Sequence, residues 1–172
     1  MTNACFFSED RRYRYSLVHD LHPCLKPESK SWLAWIGLNP STADEQKLDP
    51  TLRRIAAFTM ANGYTGFVML NLFAFRTPHP RVMMQTEDAV GPQNDATIFT
   101  VCRSAESVVC AWGTGGQHRA RSFAVTLALH ELGLRPLCLG VTKSGEPKHP
   151  LYVSGGTQLV PFLTLEQAAS GA

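Results

Sequence analysis

One short apolar run, WLAWI at residues 32–36, constrains the fold of this chain more than any other segment. A run of this length between turn residues is typical of a strand that is buried on both faces, as in the middle of a parallel sheet. The run stops at Gly37, and a turn of short polar side chains follows. Because ligands bind at the carboxyl ends of central strands in open α/β sheets, we expect Asn39 to Asp44 to form the floor of a site.

Three later segments repeat this layout of an apolar strand followed by polar or glycine-rich residues. They are residues 67–70, 107–112 and 135–140, followed by NLFAFR, GTGGQ and VTKSGEPKHP. Helices are predicted between them, because Asp49 and Pro50 form a typical helix start and further helical patterns follow. The alternation predicts an α/β fold with three layers, α/β/α, around a mainly parallel four-stranded sheet. The polar segments should then gather along one edge of the sheet.

The remaining segments extend a single α/β domain over residues 1–172. Residues 1–30 read as an N-terminal hairpin and loop, because apolar segments flank a polar turn. A closing hairpin is predicted from residues 151–153 and 158–163, and the tail 164–172 is expected to be disordered.

Composition narrows the functional classes. With 172 residues, 44% of them hydrophobic and 17% charged, the chain fits one globular domain and excludes disordered and fibrous classes. The net charge of +2 permits a polyanionic partner without requiring one. The five cysteines include no CxxC spacing, so neither a zinc site nor a disulfide framework is predicted. We expect neither a metal nor another cofactor. No apolar run approaches the roughly 20 residues that span a bilayer, so we expect no membrane and a cytoplasmic location.

The glycine-rich segment GTGGQHR lies before a predicted helix at residues 117–132. Free N–H groups at a helix start bind anions, so this segment resembles a phosphate or carboxylate cradle, although no GK[ST] follows as in a P-loop. The residues predicted to contact phosphate are Gly113, Gly115, Gly116, His118, Arg119 and Lys148.

Motifs spread over nearly the whole chain resemble a bacterial and phage family known only as a domain of unknown function. They are GLNPSTAD, DPTLRR, NLFAFR, VGPQND, AWG and PKHPLY. The order and spacing of four of them are also similar, more distantly, to the uracil-DNA glycosylase superfamily. These four are Gly37–Pro40, Asn71–Arg76, Ala111–Gly113 and His149 with Pro150 and Leu151. The resemblance implies the glycosylase fold, with the site at the carboxyl edge of the sheet.

The resemblance also implies roles for individual residues. Asn39 would position the attacking water, and His149 would donate to the base oxygen as negative charge develops. Asn71 would bind a base edge, Phe73 would stack on an extruded base, and Leu151 would fill the vacated stack. Pro40, Ser41 and Arg76 complete the predicted substrate-binding set. Asn39 occupies the place where the most active uracil-excising members have a carboxylate, and Asp44 is the nearest acid.

Each of these patterns also has a purely structural interpretation. Residues 39–41 would be an ordinary turn with a helix-start device. Residues 71–76 would contribute to the core, with Arg76 capping carbonyls, and His149 would be a surface histidine.

The sequence therefore predicts a nucleobase-handling enzyme that hydrolyses an N-glycosidic bond of a modified or mismatched base, in nucleic acid or nucleotide. One alternative is a non-catalytic nucleic-acid or nucleotide binding module on the same fold. Another is a small-molecule enzyme that binds an anionic substrate at GTGGQHR. The sequence does not define an oligomeric state.

Overall fold

The structure is a computed structural model that describes residues 3–41 and 48–162. The predictions for Asp44 and for the tail 164–172 lie outside these residues. The described strands are β1 (Ala4–Phe7), β2 (Arg14–Asp20), β3 (Trp32–Gly37), β4 (Gly66–Asn71), β5 (Ser107–Cys110), β6 (Leu137–Cys138) and β7 (Val160–Pro161). The described α-helices are α1 (Pro50–Ala61), α2 (Pro80–Gln85), α3 (Asn94–Ser104) and α4 (Arg121–Glu131). Segments of 3-10 helix occupy Pro27–Ser29, Gly113–Ala120 and Pro150–Tyr152.

The described strands form one mixed sheet of seven strands in the order β1-β2-β4-β3-β5-β6-β7. β4, β3, β5 and β6 run parallel, whereas β2 and β7 pair antiparallel at either side of them. The predicted α/β fold is confirmed. The sheet is wider than the four strands predicted, because the N-terminal hairpin joins it through β2 and supplies hydrogen bonds to the open edge of β4.

Apolar side chains cover both faces of the sheet. Along β3, Leu33 and Trp35 point into a core that α1 covers, while Ala34 and Ile36 point into a second core with residues of α3 and α4. This alternation follows from the two-residue period of a strand. The buried indole of Trp35 donates to the hydroxyl of Thr59 on α1, at 3.1 Å.

Helix α1 begins as predicted. The backbone N–H of Leu52 donates to Oδ1 of Asp49 at 2.9 Å, and Pro50 occupies the first turn. This cap matters for the site because it fixes the carboxylate of Asp49 at the end of the helix that faces the carboxyl edge of β3.

One predicted helix has different bounds in the structure, and one predicted hairpin does not form. The helix expected from residue 117 begins at Arg121, because Arg119 and Ala120 adopt φ values of 54° and 53° that interrupt a helix. The closing hairpin is absent from the described residues, since 150–152 form a 3-10 turn and β7 pairs with β6. No helix within the described residues is long and apolar enough to cross a membrane.

Candidate functional site

A cleft of about 650 Å³ opens at the carboxyl ends of the parallel strands. Gly37 at the end of β3, Asn71 at the end of β4 and Ala111 after β5 line its floor, α1 borders it, and residues 148–152 form its rim. This is the sheet edge where α/β proteins bind ligands. We refer to this space as the cleft.

The cleft brings together predicted residues from several segments that are far apart in the sequence. They are Asn39, Ser41, Asn71, Gly113, Gly115, Lys148, His149 and Leu151. The other predicted site residues do not line it: Pro40, Phe73, Arg76, Gly116, His118 and Arg119. The predicted catalytic pair, Asn39 and His149, thus borders one space.

Asn39 is held in a fixed orientation. Its Nδ2 donates to the carbonyl oxygens of Pro40 at 3.0 Å and Thr77 at 2.8 Å. The backbone N–H of Thr77 in turn donates to the carbonyl of Pro40 at 2.9 Å, so the turn after β3 is joined to the segment after β4. Because both bonds use the amide nitrogen, Oδ1 is the atom of Asn39 that can accept a hydrogen bond from water or a ligand.

His149 begins the 3-10 turn at the rim, and its Nδ1 accepts a hydrogen bond from the N–H of Leu151 at 3.3 Å. Burial lowers the pKa of His149 below its usual 6.5, and the carboxylate of Asp49 offsets part of this effect. Near neutral pH the ring is therefore uncharged. Since Nδ1 is an acceptor, the proton is on Nε2, which makes His149 a neutral hydrogen-bond donor.

Asn71 lies on the floor with only 1% of its surface exposed. Its Nδ2 has no hydrogen-bond partner within the described protein. A Cβ at position 37 would lie 3.1 Å from Oδ1 of Asn71 and 2.4 Å from Cε of Met69, so Gly37 leaves the space that the amide occupies. The floor therefore presents an amide N–H group that is available to a ligand.

Arg14 is a floor residue that the sequence analysis missed. It borders the cleft but is only 2% exposed, and its backbone N–H donates to the carbonyl of Ala74 at 2.9 Å. No local sequence signal identifies it, because Arg14 lies at a bulge in the pairing of β1 with β2, where Phe7 pairs with Arg14 and Tyr15 is an extra residue.

Asp49 and Tyr152 also border the cleft. Asp49 caps α1, as the sequence predicts, and its carboxylate also acts electrostatically on His149. Tyr152 is 84% exposed, and its ring centroid lies 5.5 Å from that of His149. The sequence signal for Tyr152 was an aromatic residue three positions after the candidate histidine.

Phe73 and Arg76 have structural contacts instead of the predicted ligand contacts. Phe73 is fully buried in the core on the α3 and α4 side, and its ring packs 5.7 Å from that of His118. Its position does not support base stacking. Arg76 donates from Nε to the carbonyl of Ser41 at 3.3 Å and lies over the ring of Phe7, as in the carbonyl-capping interpretation.

Only part of the GTGGQHR segment borders the cleft. Gly113 and Gly115 border the cleft, whereas the guanidinium of Arg119 donates to the carbonyls of Thr86 at 3.1 Å and Glu87 at 2.6 Å. Gly116 is buried against the indole of Trp112. The cradle that the sequence predicted around His118 and Arg119 therefore does not form part of the cleft.

The three buried cysteines have thiols that are hard to ionise. Burial raises the pKa of Cys102 to about 12 and also raises the pKa values of Cys110 and Cys138, so these thiols stay protonated. Across 3–41 and 48–162, no group of three or more His, Cys, Asp or Glu side chains is arranged to hold a metal ion.

Comparison with known proteins gives a family without an activity. Neither a curated protein nor a solved structure matches this chain. A family model described as Protein of unknown function (DUF1643) matches residues 14–151. This range runs from β2 to the rim and includes every cleft residue named above except Tyr152. The chain therefore belongs to the family of proteins of unknown function DUF1643.

Proposed function

We propose that this protein hydrolyses the N-glycosidic bond of a modified or mismatched base, in a nucleic acid or a nucleotide. The observation that carries the proposal is that Asn39, Asn71 and His149, from three separate segments, line one cleft. The resemblance to uracil-DNA glycosylases supplies the reaction. Helices on both sheet faces and four adjacent parallel strands support the finer proposal of a three-layer, glycosylase-like fold.

In the proposed reaction, water attacks the anomeric carbon and the bond from that carbon to the base nitrogen breaks. The bonding electron pair leaves with the base. Oδ1 of Asn39 accepts a hydrogen bond from the attacking water, and Asp49, the one acid among the described residues of the cleft, takes its proton. His149 donates from Nε2 to the base oxygen where negative charge develops. A neutral histidine suits this role because Nε2 carries the proton when Nδ1 accepts from the N–H of Leu151.

We assign each substrate contact according to how deeply the residue is buried in the cleft. Asn71 on the floor binds the base edge, and Tyr152 at the rim takes the stacking role in place of the buried Phe73. Leu151, 42% exposed, lies where a side chain could enter the gap left in a base stack. Lys148 at the rim is placed to contact phosphate. A volume of about 650 Å³ is within the usual range for a small-molecule site.

The test is base release from oligonucleotides that carry modified or mismatched bases, and from free nucleotides and nucleosides, with the released base quantified by chromatography. We expect release from at least one substrate, and a roughly 10²–10⁴-fold lower rate in His149→Asn, because a positioned proton donor contributes on that scale. Asn39→Ala should slow the reaction without unfolding the protein. His22→Asn is the matched control, because His22 is exposed and outside the cleft. A full panel without turnover would refute the proposal.

One observation favours the second candidate, a binding module without turnover. The side chains proposed for chemistry already make local bonds: Asn39 to two carbonyls, Asp49 to the start of α1, and His149 to the N–H of Leu151. A binding module predicts salt-dependent nucleic-acid or nucleotide binding without product. It also predicts that this binding survives both Asn39→Ala and His149→Ala.

A further inference from the structure

We propose that Arg11, Arg12 and Arg76 form a strip on the surface beside the cleft that binds the phosphates of a nucleic-acid strand. We call these three residues the arginine strip. The choice of a nucleic acid among polyanions rests on the proposed function, because a strand whose base enters the cleft must continue past its edge. The substrate would then be a polymer instead of a free nucleotide.

Hydrogen bonds join the arginine strip to the edge of the cleft. The backbone N–H of Arg76 donates to the carbonyl of Arg12 at 3.0 Å, so the turn between β1 and β2 lies beside the segment after β4. Nε of Arg76 donates to the carbonyl of Ser41 at 3.3 Å. Ser41 and the residue after Arg76, Thr77, both line the cleft. The arginine strip therefore begins at the border of the cleft and continues onto the N-terminal hairpin.

Aromatic rings hold the three guanidinium groups in place. Arg11 and Arg76 lie over the same ring, that of Phe7, with their guanidinium carbons 3.9 Å and 5.4 Å from its centroid. Arg12 lies over the ring of Phe75, at 5.5 Å. A contact with a ring face attracts the cation without using an N–H group as a hydrogen-bond donor to an oxygen. Because the side chains are already ordered, less conformational entropy is lost when they bind a phosphate.

Most donors of the arginine strip are unused by the protein. The side chains of Arg11 and Arg12 are exposed and donate no hydrogen bond within residues 3–41 and 48–162, and Arg76 uses only Nε there. A guanidinium has five N–H donors in a planar fork that matches the oxygens of a phosphate. The strip therefore presents three adjacent cations whose donors can bind successive phosphates of one strand.

Arg11 stands where the backbone favours glycine. Its φ of 55° lies in the left-handed region, which side chains other than those of Asn and Asp rarely adopt. The turn is closed by the N–H of Arg11, which donates to the carbonyl of Ser8 at 2.9 Å. Glycine would make this turn without strain. An arginine that adopts this conformation indicates a role for its side chain outside the turn.

Two acidic residues share the turn with the arginines. Oδ1 of Asp10 accepts from the hydroxyl of Ser8 at 2.6 Å and from the N–H of Arg12 at 3.1 Å, so its charge is engaged within the turn. Glu9 is exposed, and its side chain accepts no hydrogen bond within the described residues. Its negative charge opposes the binding of phosphate. Removing that charge should therefore strengthen binding, while removing an arginine should weaken it.

Binding of oligonucleotides to the full-length protein tests the arginine strip. The probes are a labelled DNA single strand of about 12 nucleotides, the matching duplex and a labelled mononucleotide, measured by fluorescence anisotropy at a series of salt concentrations. We expect the strand to bind more tightly than the mononucleotide, and less tightly as salt rises. Arg11→Gln and Arg12→Gln should each weaken strand binding roughly threefold to tenfold and reduce the salt slope by about 0.7. Glu9→Gln should strengthen it.

Two neighbouring phenylalanines separate the arrangement of the strip from its charge. Phe7→Leu removes the ring beneath two arginines without changing any charge, and it should weaken strand binding. Phe6→Leu is the matched control, because Phe6 is exposed and contacts no guanidinium within the described residues. Arg103→Gln is the charge control, because Arg103 is exposed at the end of α3 and outside the cleft. Arg11→Gly should weaken binding while it keeps the midpoint of thermal unfolding, which separates lost binding from lost folding.

The outcomes distinguish the arginine strip from the proposed hydrolysis. Strand binding with these variant effects but without base release would support the strip while the hydrolysis fails. Base release with the same KM for oligonucleotide and nucleotide, unchanged in Arg11→Gln and Arg12→Gln, would overturn the strip while the hydrolysis stands. Equally tight binding of heparin or of phosphatidylglycerol vesicles, with the same losses in the variants, would also overturn it, because the strip would then bind any polyanion.

Discussion

At the scale of single residues, the two buried asparagines Asn71 and Asn94 predict opposite effects of the same substitution. Asn94→Leu removes two hydrogen bonds to backbone carbonyls and should lower the free energy of unfolding by about 1–3 kcal/mol. Asn71→Leu removes an amide nitrogen that has no partner in the described protein, so this free energy should stay the same or rise. Urea unfolding of both variants measures the difference. Equal losses would show that the Asn71 amide serves the fold.

The residues of the cleft differ in how readily sequence patterns identify them as site residues. Asn39 and Asn71 follow directly after apolar strands, and His149 stands in a polar loop, so their patterns pointed to one edge of the sheet. Phe73 lies only two residues beyond Asn71 but turns into the core, because the chain leaves the strand at that point. Arg14 could not be identified because it lies at a bulge in the pairing of β1 with β2, which local sequence patterns do not encode.

At the scale of elements, the cap of α1 links helix stability to the cleft. Asp49→Ala removes the cap and should lower the free energy of unfolding by about 0.5–2 kcal/mol, whereas Asp49→Ser keeps a capping oxygen and should cost less. Both variants remove the carboxylate that raises the pKa of His149, so both should lower that pKa further. Urea unfolding and an NMR titration of the ring measure the two effects. A pKa that falls only in the alanine variant would attribute the coupling to helix position instead of charge.

The start of α1 was predictable and the start of α4 was not. Asp49 and Pro50 act through neighbouring residues, so the sequence contains the whole signal. At α4, by contrast, the chain holds Arg119 and Ala120 at positive φ while Arg119 donates to the carbonyls of Thr86 and Glu87. The helix start therefore depends on a contact between residues far apart in the sequence. The same contact directs Arg119 away from the predicted anion cradle.

At the scale of the whole molecule, the apolar runs predicted the four parallel strands but not the width of the sheet. Each parallel strand can be predicted from its own apolar composition and from the turn that follows it. The position of the N-terminal hairpin depends on the free edge of β4, and β7 depends on the free edge of β6. These pairings connect segments far apart in the chain, which local patterns do not encode.

The whole molecule should lose stability in acid in two steps. Burial lowers the pKa values of His19, His130 and His149 below 6.5, so the unfolded chain binds more protons than the folded chain below about that pH. The free energy of unfolding should therefore fall as the pH drops from 7.5 to 5.5. A second loss should follow below about pH 3.8: burial alone would raise the pKa of Asp20, but Lys30 holds it below that value. Urea unfolding at a series of pH values from 7.5 to below about 3.8, at constant ionic strength, measures both losses of stability. Replacing the three histidines with glutamine should flatten the first step and leave the second, and an unchanged first step would place its cause in other groups.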